Sequence, residues 1–220
     1  MSERELRLAL ETAKKRLARA TKAIAPKHKG GEMAEFDAAY EAMLAAERLL
    51  AAELGEPHAV PLEFPVQWAI GTPVPHLITT DNQTFLLFLL RDAQLQRDGF
   101  YAALENPDAE HVATVEFKGC VSAKMGAPND EVFQGHPLHG KGLVVYRPLR
   151  VLNSTWIREL EAINSVHSQF TADRWNTLNH YIFGFHDCTF ECVAQSFVVQ
   201  TLEDATIPAA LAAICERLGA

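Results

Sequence analysis

Between His180 and Gln195 the chain alternates so strictly that one arrangement fits it, an antiparallel hairpin with one buried face. Tyr181, Phe183, Phe185, Phe190, Cys192 and Ala194 fall on one side. His180, Ile182, Gly184, His186, Thr189, Glu191, Val193 and Gln195 fall on the other, with the turn around Asp187-Cys188. A three-residue turn would mix the two sets, so the pattern selects a turn of two or four residues. The register that follows places Phe185 opposite Phe190, Phe183 opposite Cys192 and Tyr181 opposite Ala194.

In that register His186 and Glu191 are diagonal neighbours on the polar face. A carboxylate beside an imidazole fixes its tautomer, which makes the two a candidate acid/base pair. The plainer reading is a hydrogen-bonded cross-strand pair at a sheet surface. His180 and His186 share the face but lie about 20 Å apart along one strand, too far to hold one metal ion.

Other strands follow from composition. Thr84–Arg91, flanked by Asp81-Asn82 and Asp92, contains the apolar run Phe85–Leu90 and suits a central strand buried on both faces. His111–Lys118 alternates as a half-buried strand, with Ala113, Val115 and Phe117 on one side. Leu143–Leu152 is a strand candidate interrupted at Pro148, and Thr189–Gln200 reads as one strand. Asn153 or Ser154 can cap a helix ending near Asn179, with Trp156, Leu160, Ile163, His167 and Phe170 as its stripe. His167 on that stripe reads as a core imidazole with a partner rather than as a catalyst. Thr206 and Pro208 open a last helix that turns Ile207, Leu211, Ile214 and Leu218 inward. Strands that run together with few crossover helices give an α+β fold, a mainly antiparallel sheet packed with helices.

A helical hairpin precedes this core. Leu6, Leu10, Ala13, Leu17, Ala20 and Ile24 form one stripe. Pro26 and Gly30-Gly31 break it, and Met33, Phe36, Tyr40, Met43, Leu50 and Leu54 form a second stripe, interrupted by Glu47 and ending near Gly55. Residues 1–29 carry nine Lys/Arg and three Asp/Glu, and residues 32–56 carry one and seven, so the arms are charged +6 and −6 and suit each other. Lys14, Lys15, Arg16, Arg19 and Lys22 therefore read first as a solvated face beside an acidic neighbour. The sharper reading is a docking or nucleic-acid-binding arm, against which stands the absence of any aromatic among them to stack on bases. Pro57, Pro61, Pro65, Pro73 and Pro75 follow, which places a boundary between a hairpin of residues 1–55 and a core domain of residues 56–220.

A net charge of −8 argues against nucleic acid and anionic membrane as partners. The six-residue apolar run is too short to span a bilayer. Four cysteines and a start that reads as helix rather than as a secretory leader point to the cytoplasm. Rossmann, Walker, zincin and nucleophile-elbow signatures are absent.

The segment from Gly119 to Gly142 holds five of the twelve glycines together with Asn129, Asp130, Glu131, His136, His139 and Lys141. It is too long for a bare connector. Gly140-Lys141-Gly142 could present amides and an ammonium to an anion. His136 and His139 with Asp130 or Glu131 have the makings of a two-His-one-carboxylate set, against which stands a role in capping the loop's own turns. Cys188 and Cys192 lack the partner pair that a zinc site needs. No cofactor and no metal is called for.

The runs Ala127-Pro-Asn-Asp-Glu-Val-Phe-Gln-Gly-His-Pro-Leu and Phe185-His-Asp-Cys-Thr-Phe-Glu-Cys-Val-Ala resemble a pair of motifs in uncharacterised bacterial proteins, a likeness covering residues 110–200. The resemblance implies a bacterial, cytoplasmic origin and carries no activity with it. From the residues themselves, the expectation is a small-molecule-binding protein or a metal-independent acid/base enzyme. Its site would be made by the 119–142 loop and the 180–200 hairpin, with His136 or His186 as acid/base, Glu191 orienting it, and Asn129 and Lys141 touching the ligand. The alternative is an interaction module that docks a partner or forms a homodimer through the helical hairpin.

Overall fold

Ser2 begins the first helix by a reciprocal cap: Glu5 N–H donates to Ser2 Oγ at 3.4 Å, and Ser2 N–H donates to Glu5 Oε2 at 2.7 Å. This helix, α1 (Glu3–Ile24), lies antiparallel to α2 (Gly30–Glu53), with Leu6, Leu10 and Ala13 packed on Met43, Ala46 and Leu50. In the computed structural model, residues 1–24, 30–91, 111–203 and 205–218 are described. The expected break at Pro26 lies outside them, whereas the glycines at 30 and 31 open α2 instead of preceding it. The charge complement of the arms is visible where Arg16 donates to both oxygens of Glu35 at 2.8 and 2.9 Å.

Glu47, the polar interruption of the second stripe, is buried and accepts the Gly142 N–H at 3.0 Å. Its neighbour Arg48 donates to the carbonyls of Ala59, at 2.9 Å, and Gly142, at 3.3 Å. Strand β1 (His58–Pro61) is held to the same segment through Ala59 N–H and Lys141 C=O at 2.9 Å. These contacts explain the make-up of one compact unit, which takes in Met1–Val60, His136–Val144 and Val151–Thr155.

The second unit takes in Pro61–Gly135, Val145–Arg150 and Trp156–Ala220. Its strands are β2 (His76–Thr79), β3 (Thr84–Leu89), β4 (Val112–Lys118), β5 (Ser122–Gly126), the start of β6 (Pro148–Leu152), β7 (Asn179–Gly184), β8 (Thr189–Ala194) and β9 (Ser196–Leu202). One sheet has the order β2-β3-β4-β9, and the other runs β6-β7-β8-β5. The mutual pairings within β2-β3-β4-β9 and within β7-β8-β5 are all antiparallel. Leu86, Phe88, Ala113, Val115 and Phe117 of the first sheet meet Tyr181, Phe183, Phe185, Phe190, Cys192 and Ala194 of the second around Trp68. Phe117 and Phe190 have ring centroids 5.2 Å apart, and Trp68 and Phe185 4.9 Å apart, the spacing aromatic cores favour.

Helices cover the outer faces. Ala210 and Ile214 of the last helix, α5 (Ile207–Leu218), pack on Phe85, Leu87 and Val112, which is why β3 is apolar on both sides. Thr206 caps α5 by accepting the Ala209 N–H at 3.2 Å. On the other sheet Val193 is covered by Trp175 and Leu178 with Trp156, Ile157, Leu160 and Phe170. The chain is α+β, an N-terminal helical hairpin followed in sequence by antiparallel sheets.

Four local expectations need correction. The 180–195 hairpin keeps its faces, but Gly184 pairs with Thr189 and Phe183 with Phe190, a register two residues away from the expected one. A four-residue turn, Phe185–Cys188, closes it, with Phe185 N–H donating to Cys188 C=O at 2.8 Å. The run Thr189–Gln200 is two strands, because at Gln195 the chain leaves one sheet for the other. β4 and β5 make the same crossing through Gly119–Val121, and three residues there face two, a bulge that bends the ladder. The helix expected to reach Asn179 is α3 (Thr155–Asn164) followed by α4 (Ala172–Asn176). His167 between them is exposed, its Nδ1 accepting Gln169 N–H at 3.1 Å, and is no part of the core.

Candidate functional site

The turn of the β7-β8 hairpin ends in His186, and two segments converge on it. Thr189 Oγ1 donates to Pro128 C=O at 2.7 Å, and Asp130 N–H donates to His186 C=O at 3.1 Å, so residues 128–130 are tied to the turn. Asp130 opens a 3₁₀ segment, Asp130–Gly135, whose Phe133 is buried against Gly184. A Cβ on Gly184 would stand 2.9 Å from Phe133 Cζ and 3.3 Å from Val145 Cα, so only glycine admits both approaches. Tyr146 N–H donates to Gly184 C=O at 2.8 Å. Tyr146 itself adopts φ of 61°, a left-handed conformation that costs free energy in a bulky residue and recurs where function demands it.

The side chains meet in consequence. His186 Nδ1 lies 2.9 Å from Asp130 Oδ2 and 3.2 Å from the Tyr146 hydroxyl, and the hydroxyl donates to the same carboxylate oxygen. Asp130 Oδ1 is buried and has no hydrogen-bond partner among the described residues. The imidazole side chain is 43% exposed, and its Nε2 has the Asp187 carboxylate 4.0 Å away. With Nδ1–H donated to Asp130, Nε2 is the nitrogen left to exchange a proton.

Electrostatics follow the geometry. Hydrogen bonds from Tyr146 and then His186 hold the Asp130 carboxyl below its ordinary range. The Asp130 hydrogen bond and charge, with Asp187 and Glu131 behind them, raise His186 above 6.5. Burial and then Asp130 push the Tyr146 phenol up to about 12, so it remains a donor.

Glu191 does not belong to this group, which corrects the expected His186–Glu191 pair. The shifted register leaves His186 beyond the end of the ladder and brings His180 diagonally across from Glu191. His180 Nε2 lies 2.8 Å from Glu191 Oε2, and Lys124 Nζ lies 2.8 Å from Oε1. Both His180 and Glu191 are buried, with Trp156 edge-on to His180 at 5.1 Å and under Lys124 at 4.6 Å.

Asn129 is half-buried between Pro128 and Asp130. His136 and Lys141 belong to the unit of the helical hairpin. There His139 N–H donates to His136 C=O at 2.9 Å and Leu138 N–H to His136 Nδ1 at 3.2 Å, turn bonds of the plain kind. Lys141 Nζ is paired with Glu56 at 2.9 Å. The 119–142 segment is no bare loop, since it supplies β5 and the 3₁₀ segment. No group of three His, Cys, Asp or Glu residues among the described ones is disposed to hold a metal ion. Tyr146 gave no signal in sequence, because it sits inside an apolar run that reads as strand.

A half-buried thiol lies between β4 and β5, where Cys120 Sγ donates to Ser122 C=O at 3.4 Å. Cys120 is held down to about 6, first by its hydrogen bond with Cys192, while burial drives Cys192 up.

No protein-family model, curated protein or solved structure matches the chain. No helix among the described residues is long and apolar enough to cross a membrane.

Proposed function

We propose that the chain is a metal-independent acid/base enzyme acting on a small polar molecule, with His186 as the proton-transfer group. The observation that supports this reading is the 2.9 Å bond from His186 Nδ1 to Asp130 on an imidazole whose side chain is 43% exposed. Asp130 holds the ring in the tautomer that leaves Nε2 free to take a proton, and it stabilises the imidazolium that results. Tyr146 donates to the same carboxylate oxygen and helps to hold it in place. Asp130, Glu131 and Asp187 give the site negative charge, which favours neutral or cationic substrates over phosphates and carboxylates. Four free thiols, Cys120, Cys188, Cys192 and Cys215, support a reducing, cytoplasmic setting.

The test is turnover of a panel of neutral and amine-bearing esters, amides and carbon acids by wild type and by His186→Gln. Activity lost by roughly 10²–10⁴-fold in the variant is the expected result. The rate of the wild type should rise with pH through a His186 value above 6.5, and that limb should move to lower pH in Asp130→Asn. Equal turnover by His186→Gln would refute the assignment.

A further inference from the structure

The helical hairpin carries an open, mostly apolar groove of about 660 Å³ that runs along one side of the α1–α2 seam, bordered by Leu8, Ala9 and Thr12 of α1 and by Ala42, Ala45 and Leu49 of α2. Leu8 is 69% exposed and Leu49 56% exposed, although both stand on helices whose seam-facing leucines are buried. Two protruding leucines beside a floor of alanines form the knob and the hole of helix packing.

Charge says what fits this face. The described part of α1 is basic and α2 is acidic, and the Arg16–Glu35 ion pair that joins them within the chain has both partners exposed. Lys15 and Arg19 share a stripe of α1 with Leu8, as Glu35 and Glu53 share one of α2 with Leu49, and Lys15, Arg19 and Glu53 make no ion pair among the described residues. A surface with one basic and one acidic helix is its own complement under a two-fold axis parallel to those helices. That rotation sets α1 on the partner copy's α2, antiparallel, and keeps each residue at its level along the bundle.

We propose that this face binds a second copy of the chain, giving a four-helix bundle in which each α1 lies on the partner's α2. Leu8 of one protomer enters the alanine-lined hole beside the other copy's Leu49, and the reverse contact follows by symmetry. Lys15 and Arg19 then approach the acidic first half of the facing α2.

The test is the molar mass of the full chain by sedimentation equilibrium across micromolar concentrations. Twice the 24.4 kDa chain mass is the expected result. Leu8→Glu and Leu49→Glu should each weaken the dimer by roughly ten- to hundredfold while leaving the helical circular dichroism unchanged, since both side chains are exposed in one chain. The geometry is tested by mixing Leu8→Lys with Leu49→Glu chains. The mixture should dimerise more tightly than either variant alone, because position 8 of one chain faces position 49 of the other. A monomer at every concentration, or a dimer indifferent to both glutamate substitutions, would overturn the proposal. A mixture that gains nothing would overturn the pairing of α1 with α2.

Discussion

Glu191 shows what a buried carboxylate demands of its neighbours. It is 7% exposed and is tolerated because His180 and Lys124 each reach one of its oxygens. Glu191→Ala removes the centre of that set and takes the carboxylate away from a buried imidazole, so a loss of about 3 kcal/mol is expected in urea unfolding. An unchanged midpoint would contradict it. The Asp130–His186 pair behaves differently because it is solvated. His186, raised on folding, contributes stability that is full below its ordinary 6.5 and fades as pH climbs through the native value. Asp130, lowered on folding, contributes fully above its ordinary 3.8 and fades as pH falls through the native value. Asp130→Asn should therefore destabilise more at about pH 5.5 than at about pH 9. Gly119 makes a third case, with φ of +60° and room for a Cβ only 2.6 Å from Gln195 Oε1. Gly119→Ala should cost about 1–2 kcal/mol, softened as far as the Gln195 side chain can swing away.

Elements were legible where one periodicity governed them. The apolar steps of α1, the double-faced run of β3 and the alternation of β4, β7 and β8 each reported the right element and the right faces. Register was not legible, because a slip of two residues keeps every side chain on its face and leaves the hydrophobic pattern unchanged. What chose it is the turn: Phe185 fills the aromatic core and the four-residue turn carries His186 out to Asp130. The sheet switch at Gln195 does leave a trace, since Cys192 and Ala194 face the core on even positions and Phe197 and Val199 on odd ones, a slip of phase that the apolar run through Val198 and Val199 hides. Glu47 looked like a flaw in the second helix, and its role appeared only with its partner, the Gly142 N–H, ninety-five residues away in sequence. Glu47→Leu should leave that buried N–H unsatisfied and cost about 1–3 kcal/mol, read by thermal unfolding. Within the sandwich, Phe183→Ala removes a ring that touches Phe64, Trp68, Phe117 and Phe190, and a loss of about 3–5 kcal/mol is expected.

At the scale of the whole molecule, the two units divide the candidate chemistry. Every member of the Asp130–Tyr146–His186 group comes from the β unit, and so do Asn129 and Glu191. His136 and Lys141 come from the unit built on the helical hairpin, where turn bonds and an ion pair occupy them. The 119–142 stretch and the 180–200 hairpin do meet, at Asp130 and His186, whereas Glu191 pairs with His180. In sequence Asp130 reads as a candidate metal ligand, and only the long-range fold sets it beside an imidazole. The central claim is that Asp130 makes His186 a poised proton-transfer group. NMR titration of the histidine Cε1 protons in wild type and Asp130→Asn tests it most directly. The expected result is a His186 pKa above 6.5 that falls toward 6.5 in the variant. A His186 value that is ordinary in the wild type, or unmoved by the substitution, would contradict the account.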